Sequence, residues 1–323
     1  MPGQAGKETT MTRRQRVKAA IAHRRSDRVP YCIEFTPDGS QALAPLLGGG
    51  TWEDFVDNDV RRVQPPWWQW HQLGSDWFGP DIPATRPGVL GYGSYEQLVG
   101  ELDRIRQQCD PYILATFYGS HFEKAHFARG IENFLADMAA EPAWAGKFLA
   151  GIVDRNMVML EAILNLKEID GVLLGSDWGT QADLMISPGM WEDMIAPGEQ
   201  REYDLIHAFG KDVWVHSCGR IEKIIPRLIE IGLDVLNPVQ PEVMDIAMLK
   251  ARYGDRLTFW GGISTQRTLP YGTADQVKAE TRSVRRMMSQ GGGYILGPAQ
   301  QIQGDVPVAN ILAMLEAARE DQD

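Results

Sequence analysis

Asp212-Val-Trp-Val-His-Ser-Cys-Gly219, followed by a helical stretch over 220–232, is the segment that decides how this chain is read. It is a short apolar strand, a tight turn and then a helix. Side chains alternate faces along a strand, so His216 and Cys218 project together from its end. An imidazole and a thiol placed this way are donors that a borderline-soft metal such as zinc takes readily. Spacing alone leaves a second reading open, a buried neutral His beside a buried thiol. Gly219 supplies the freedom for the turn into the helix.

Outward from this unit the same pattern repeats. Apolar runs at 29–35, 112–117, 171–176, 213–217, 235–237, 257–260 and 294–297 read as strands, with a further one near 73–78. Segments of helical period lie between them, at 14–23, 132–138, 142–165, 188–208, 221–231, 244–253, 273–288 and 307–319. Ser187-Pro188 and Thr273 with Asp275 carry helix-start signals. Strands alternating with helices predict an α/β fold with a parallel sheet. About eight such strands in one undivided stretch predict a single (β/α)8 TIM barrel over residues 13–323, with 1–12 as a flexible extension.

The 323 residues are 44% hydrophobic, enough for one large core, and carry a net charge of -11 from 43 acidic and 32 basic side chains. That balance argues against a nucleic-acid partner. Cys32, Cys109 and Cys218 make no disulfide framework, which fits a cytoplasmic location. No apolar run is long enough to span a membrane. The Arg-rich stretch over 13–25 reads as a solvated helix face, with a transit peptide as the lesser alternative.

In a barrel the active site stands at the C-terminal strand ends. Those ends carry Glu34, Tyr118, Asp177 with Gln181, His216 with Cys218, Asn237 with Gln240, Gly261 with Gly262, and Gln300, Gln301 and Gln303. No comparable cluster is expected at the strand starts. Asp177, in Gly175-Ser-Asp-Trp-Gly-Thr-Gln181, is either functional or a turn residue. Glu34 is a ligand candidate or a loop acid, and His121 and His126 are candidates for lining the pocket. Trp67, Trp68 and Trp70 form an aromatic patch suited to an apolar substrate, to a partner or to inward packing. No Walker or GxGxxG element occurs.

Six segments carry a family resemblance. They are Ile186-Ser-Pro-Gly-Met-Trp191, His216-Ser-Cys-Gly219, Ile231-Gly-Leu-Asp-Val-Leu-Asn-Pro-Val-Gln240, Phe259-Trp-Gly-Gly-Ile-Ser264, Gly292-Gly-Tyr-Ile-Leu-Gly297 and Asp305-Val-Pro-Val-Ala-Asn310. Together they resemble the uroporphyrinogen decarboxylase superfamily, as do Arg16-Val-Lys-Ala-Ala-Ile-Ala-His23 and Asp27-Arg-Val-Pro30. The resemblance implies a TIM barrel. It is dense from about residue 170 and thin between 36 and 140.

Decarboxylases of that superfamily carry an Arg-rich motif after the first strand, whereas here Thr36-Pro-Asp-Gly-Ser-Gln-Ala-Leu-Ala44 contains no Arg. A polycarboxylate would lack its cationic clamp. The sequence looks like the other branch, zinc-dependent methyltransferases that work with corrinoid proteins and include aryl-ether O-demethylases. The resemblance then implies zinc on His216 and Cys218, and cobalamin arriving on a partner, since no corrinoid-binding Asp-x-His-x-x-Gly module is present. Asp177 becomes a third ligand, acid or orienter, and Gln240 and Gln300 substrate contacts.

Coenzyme M enzymes of this branch have a further Cys where Gln300 stands, so Glu34 or Asp177 must complete the site if metal is held. Weak zinc binding and loss of metal dependence are the other two outcomes. The expected activity is demethylation of a small methylated compound, such as a methoxylated aromatic. Set against it are a metal-independent decarboxylase or lyase on a smaller acid, and a non-catalytic ligand-binding barrel. A homo-oligomer is compatible with all three.

Overall fold

A computed structural model describes residues 10–65, 95–117 and 119–321. Seven strands form one parallel sheet in chain order: β1 Val60–Val63, β2 Tyr112–Phe117, β3 Gly171–Gly175, β4 Asp212–His216, β5 Val235–Val239, β6 Thr258–Ile263 and β7 Tyr294–Pro298. β3, β5, β6 and β7 are buried along their whole length, as strands covered on both faces must be. The chain returns between them through helices that include Pro142–Leu164, Ala196–Ala208, Ala274–Met288 and Val308–Ala318. Ser187 and Thr273 cap their helices as expected, Thr273 through a full capping box with Gln276.

Eight ladder strands are not what the described residues show. The expected strand over 29–35 forms only isolated parallel bridges, Tyr31 to Leu296 of β7 and Phe35 to Ile302. The reason lies on its other side. Asn58 takes both the amide and the carbonyl of Ile33 at 2.8 Å, and Asp59 accepts from Tyr31 N at 3.0 Å. Side chains thus satisfy backbone groups that a ladder to β1 would have used. The candidate strand near 73–78 and Trp67, Trp68 and Trp70 lie outside the described residues.

β1 is the strand that sequence reading missed. Its Val-Arg-Arg-Val pattern hides two half-buried arginines between buried valines. The helix expected over 188–208 is two helices, Pro188–Met194 and Ala196–Ala208, the second starting at Ala196-Pro197. Pro226 likewise sits in the first turn of Ile225–Glu230, shorter than the 221–231 expected.

Two cores follow from strand alternation. Ile113, Val172, Val213, Val215, Leu236 and Phe259 face outward against the helices. Tyr112, Leu114, Leu173, Trp214, Val235, Trp260 and Ile295 face inward and fill the lower interior. The Trp214 ring lies 5.2 Å from Tyr112 and 5.7 Å from Trp260, with Trp214 Nε1 donating to the Tyr112 hydroxyl at 3.0 Å.

The helix Arg13–Ile21, capped by Thr12, closes this interior from below with Val17 and Ala20. Its basic residues are not a solvated face, contrary to expectation. Arg14 meets Asp170 at 2.6 Å, Arg16 meets Asp27 at 2.6 Å and Asp59 at 3.4 Å, and Lys18 meets Asp212 at 2.7 Å. The strand starts therefore do carry a cluster, an acidic one neutralised by this helix.

Candidate metal centre and cavity

Above the Trp214 layer the interior opens into a cavity of about 430 Å³ at the C-terminal strand ends. Leu173 and Trp260 form part of both the inner core and the cavity wall, so the floor is continuous with the packed interior. Glu34, Arg62, Thr116, Glu123, Asp177, His216, Cys218, Asn237 and Gln300 are among its lining residues.

Three donors converge there. Asp177, His216 and Cys218 place ligand atoms within 4.8 Å of one another. Cys218 Sγ is 3.2 Å from His216 Nε2, and Asp177 Oδ1 is 3.9 Å from the same nitrogen. A tetrahedral zinc with bonds of roughly 2.0–2.3 Å holds its ligand atoms roughly 3.3–3.8 Å apart, so the spacing fits.

The backbone enforces the arrangement. Cys218 N donates to Asp177 Oδ1 at 2.8 Å, tying the loop after β3 to the loop after β4. Gly219 turns with φ of 81°, and a Cβ there would stand 2.6 Å from Gly179 backbone. A Cβ on Gly179 would meet the Cys218 carbonyl at 2.7 Å. The two loops touch backbone to backbone, which only glycines allow.

The imidazole is oriented from behind. Asn237 Nδ2 donates to the Trp260 carbonyl at 3.3 Å, which aims its Oδ1 at His216 Nδ1, 2.6 Å away. Nδ1 must then carry the proton, and Nε2 presents its lone pair toward Cys218 and Asp177. Burial and then the Asp177 carboxylate push the Cys218 thiol up to about 12. A thiol and a carboxylate facing each other across a lone pair form a donor set that lacks a positive charge. A dication would supply it and turn the thiol into a thiolate ligand.

The other sequence candidates fall in different places. Glu34 lines the cavity but stands outside the three-donor cluster, its carboxylate paired with Arg62 Nη1. Gln300 lines the cavity, with Nε2 3.6 Å from Cys218 Sγ. Gln240 is buried behind the loop, accepting from Gly219 N at 3.4 Å, and is not among the lining residues. Gln181 is exposed and away from the cavity. Tyr118 lies outside the described residues.

Sequence reading missed Arg62 and Glu123. Arg62 donates through Nε to Thr116 Oγ1 at 3.0 Å and is the one lysine or arginine among the described lining residues. Beside the cavity, His121 and His126 are buried but do not line it. His121 Nε2 donates to the Ile195 carbonyl at 3.1 Å, and its Nδ1 lies 3.4 Å from Glu199. Burial holds its pKa down to about 3, so the ring is neutral. Glu199, Glu202 and Lys124 complete this enclosed group, burial raising both acids and lowering the lysine.

Comparison with known proteins bears on this geometry. The uroporphyrinogen decarboxylase (URO-D) family model matches residues 92–321. Two curated relatives are the methylcobamide:CoM methyltransferase MtaA of Methanosarcina barkeri and that of its strain Fusaro / DSM 804. They are 30% and 31% identical over 153 residues, 46% of this chain and 42% of each relative. The chain thus matches less than half the length of these relatives. Among solved structures, a methyltransferase from Methanosarcina mazei superimposes with a TM-score of 0.75 at 17% identity, over 95% of this chain and 98% of its own. That likeness extends to the fold.

Proposed function

The chain belongs to the uroporphyrinogen decarboxylase family, and we propose that it acts there as a zinc-dependent methyltransferase. It would take a methyl group from a small methylated compound, such as a methoxylated aromatic, and pass it to a corrinoid carried by a separate protein. The observation that carries this reading is the convergence of His216, Cys218 and Asp177 on one point of the cavity at the strand ends. In this reading the barrel is a (β/α)8 frame whose eighth stave is the bridged segment around Tyr31 and Phe35.

Zinc held by His216 Nε2, Cys218 Sγ and Asp177 would supply Lewis acidity, drawing charge from the heteroatom that bears the methyl group. The remaining work belongs to this chain's own side chains. Asn237 fixes the His216 tautomer, and Gly219 and Gly179 hold the two loops in register. Gln300, adjacent to Cys218 Sγ, contacts substrate. The Trp260 and Leu173 floor excludes water beneath the reacting group.

Cavity charge supports the choice of substrate class. Among the described lining residues, Glu34, Glu123 and Asp177 outnumber the single arginine, Arg62, whose charge Glu34 already meets. A polycarboxylate such as a porphyrinogen would find no unpaired cation among these described residues. A small neutral substrate meets no such cost.

The test is elemental analysis of purified protein, wild type beside Cys218→Ser, followed by methyl transfer to a reduced corrinoid. Near-stoichiometric zinc in wild type, lost in the variant together with transfer, is the expected result. Wild-type protein that takes up no zinc after supplementation would overturn the reading.

A further inference from the structure

Glu123 is the cavity group that the metal reading leaves without a task. It sits in the first turn of the helix His121–Arg129, which leaves the top of β2, and is only 6% exposed. It nonetheless lines the same cavity as Asp177. It packs beside the end of β3, where a Cβ on Gly175 would stand 4.0 Å from Glu123 Oε2, an ordinary contact distance. Among the described residues Glu123 makes no hydrogen bond or ion pair, and it stands outside the cluster formed by Asp177, His216 and Cys218.

A buried carboxyl that accepts no hydrogen bond is in a poor setting for a negative charge. Its charged and titratable surroundings are Asp177 and Cys218 across the cavity, Lys124 beside it in the chain and His126 one turn along. Asp177 adds repulsion, which the Lys124 ammonium offsets only in part, because it also serves the Gly119 carbonyl and the buried glutamates Glu199 and Glu202. Burial and Asp177 together hold the Glu123 carboxyl up at about 7. A carboxyl able to carry a proton near neutral pH therefore lines the same cavity as Asp177, His216 and Cys218.

We propose that Glu123 is the general acid that protonates the heteroatom left behind when the methyl group departs. This rests on the methyltransferase reading above. For a methyl ether the carbon–oxygen bond breaks with its electron pair remaining on oxygen. The methyl carbon bonds to the cobalt of a reduced cobalt(I) corrinoid, which contributes the new pair. The oxygen takes the Glu123 proton, and the resulting carboxylate is reprotonated from solvent. A leaving alkoxide or phenoxide needs that proton most when its conjugate acid is weakest.

The experiment compares wild type and Glu123→Gln across para-substituted methyl phenyl ethers, in single turnovers with reduced cobalamin as acceptor. Zinc content and thermal unfolding are measured on both proteins. Gln keeps the shape and neutrality of the protonated acid, so zinc content and folding should match wild type. The expected kinetic result is a loss of about 10²–10⁴-fold on the unsubstituted ether, shrinking steadily as the phenol becomes more acidic.

A loss equal across the series, or none, overturns the acid role while leaving the methyltransferase reading standing. Zinc lost from Glu123→Gln overturns it too, by making Glu123 a ligand. Wild type that turns over no ether while holding zinc removes the reaction and the acid role with it.

Discussion

The two ends of the sheet treat charge in opposite ways. At the strand starts, Asp59, Asp170 and Asp212 are each met by cations within 2.6–2.8 Å, from Arg28, from Arg14 with Arg106, and from Lys18. At the strand ends, Asp177, Glu123 and Cys218 line one cavity with no lysine or arginine in an ion pair with them among the described residues, and Arg62 is taken by Glu34. One end has completed its electrostatics and serves stability. The other is left incomplete, which is the condition for taking up a cation or shifting a proton.

The largest effect that tests this contrast is at the closed end. Asp59→Ala should cost about 3–5 kcal/mol by chemical denaturation, because Arg28 and Arg16 lose a fully buried partner. Asp177→Asn, at the open end, should leave the metal-free protein within about 1 kcal/mol of wild type. Equal losses from the two variants would erase the distinction.

Next in size is a pH effect. Glu123 is raised from its ordinary 4.5 to about 7, so the folded chain keeps a proton that the unfolded chain gives up. Its stabilisation is complete below pH 4.5 and is lost as pH rises through about 7, by roughly 2–3 kcal/mol. Glu123→Gln should be less sensitive to pH across that window, which urea titrations at pH 5 and 8 would show.

Asn237→Ala should weaken zinc binding about 10–100-fold without removing His216 or Cys218, since the ring loses its orienting acceptor. Competition with a chromophoric chelator reads this directly. At the small end, Gln181→Ala should change neither zinc affinity nor turnover by more than about twofold, because the residue is exposed and away from the cavity.

Legibility in the sequence followed burial. β2 to β7 were readable within a few residues because strands covered on both faces are continuous apolar runs. β1 was not, because Arg61 and Arg62 interrupt it, and Arg62 turns out to face the cavity. The 29–35 run had strand composition, yet Asn58 and Asp59 took its backbone groups, a tertiary event that no local pattern encodes.

His216, Cys218 and Asp177 were visible because strand geometry alone brings such residues to one end. Glu123 was hidden in His121-Phe-Glu-Lys-Ala-His126, which reads as an ordinary polar helix turn. Only the neighbouring helices make that turn buried. Arg14 and Lys18 in the basic run over 13–25 misled for the same reason, since their acidic partners, Asp170 and Asp212, lie far along the chain.

That distance has a consequence for how the molecule is made. Arg14 and Lys18 are synthesised 156 and 194 residues before Asp170 and Asp212. The N-terminal helix cannot dock until β3 and β4 exist, and these contacts carry a high loop-closure cost. On the ribosome the helix would wait undocked while most of the sheet is laid down. Its seating is then a late event of folding, when acids that repel one another are finally brought under a common counter-charge.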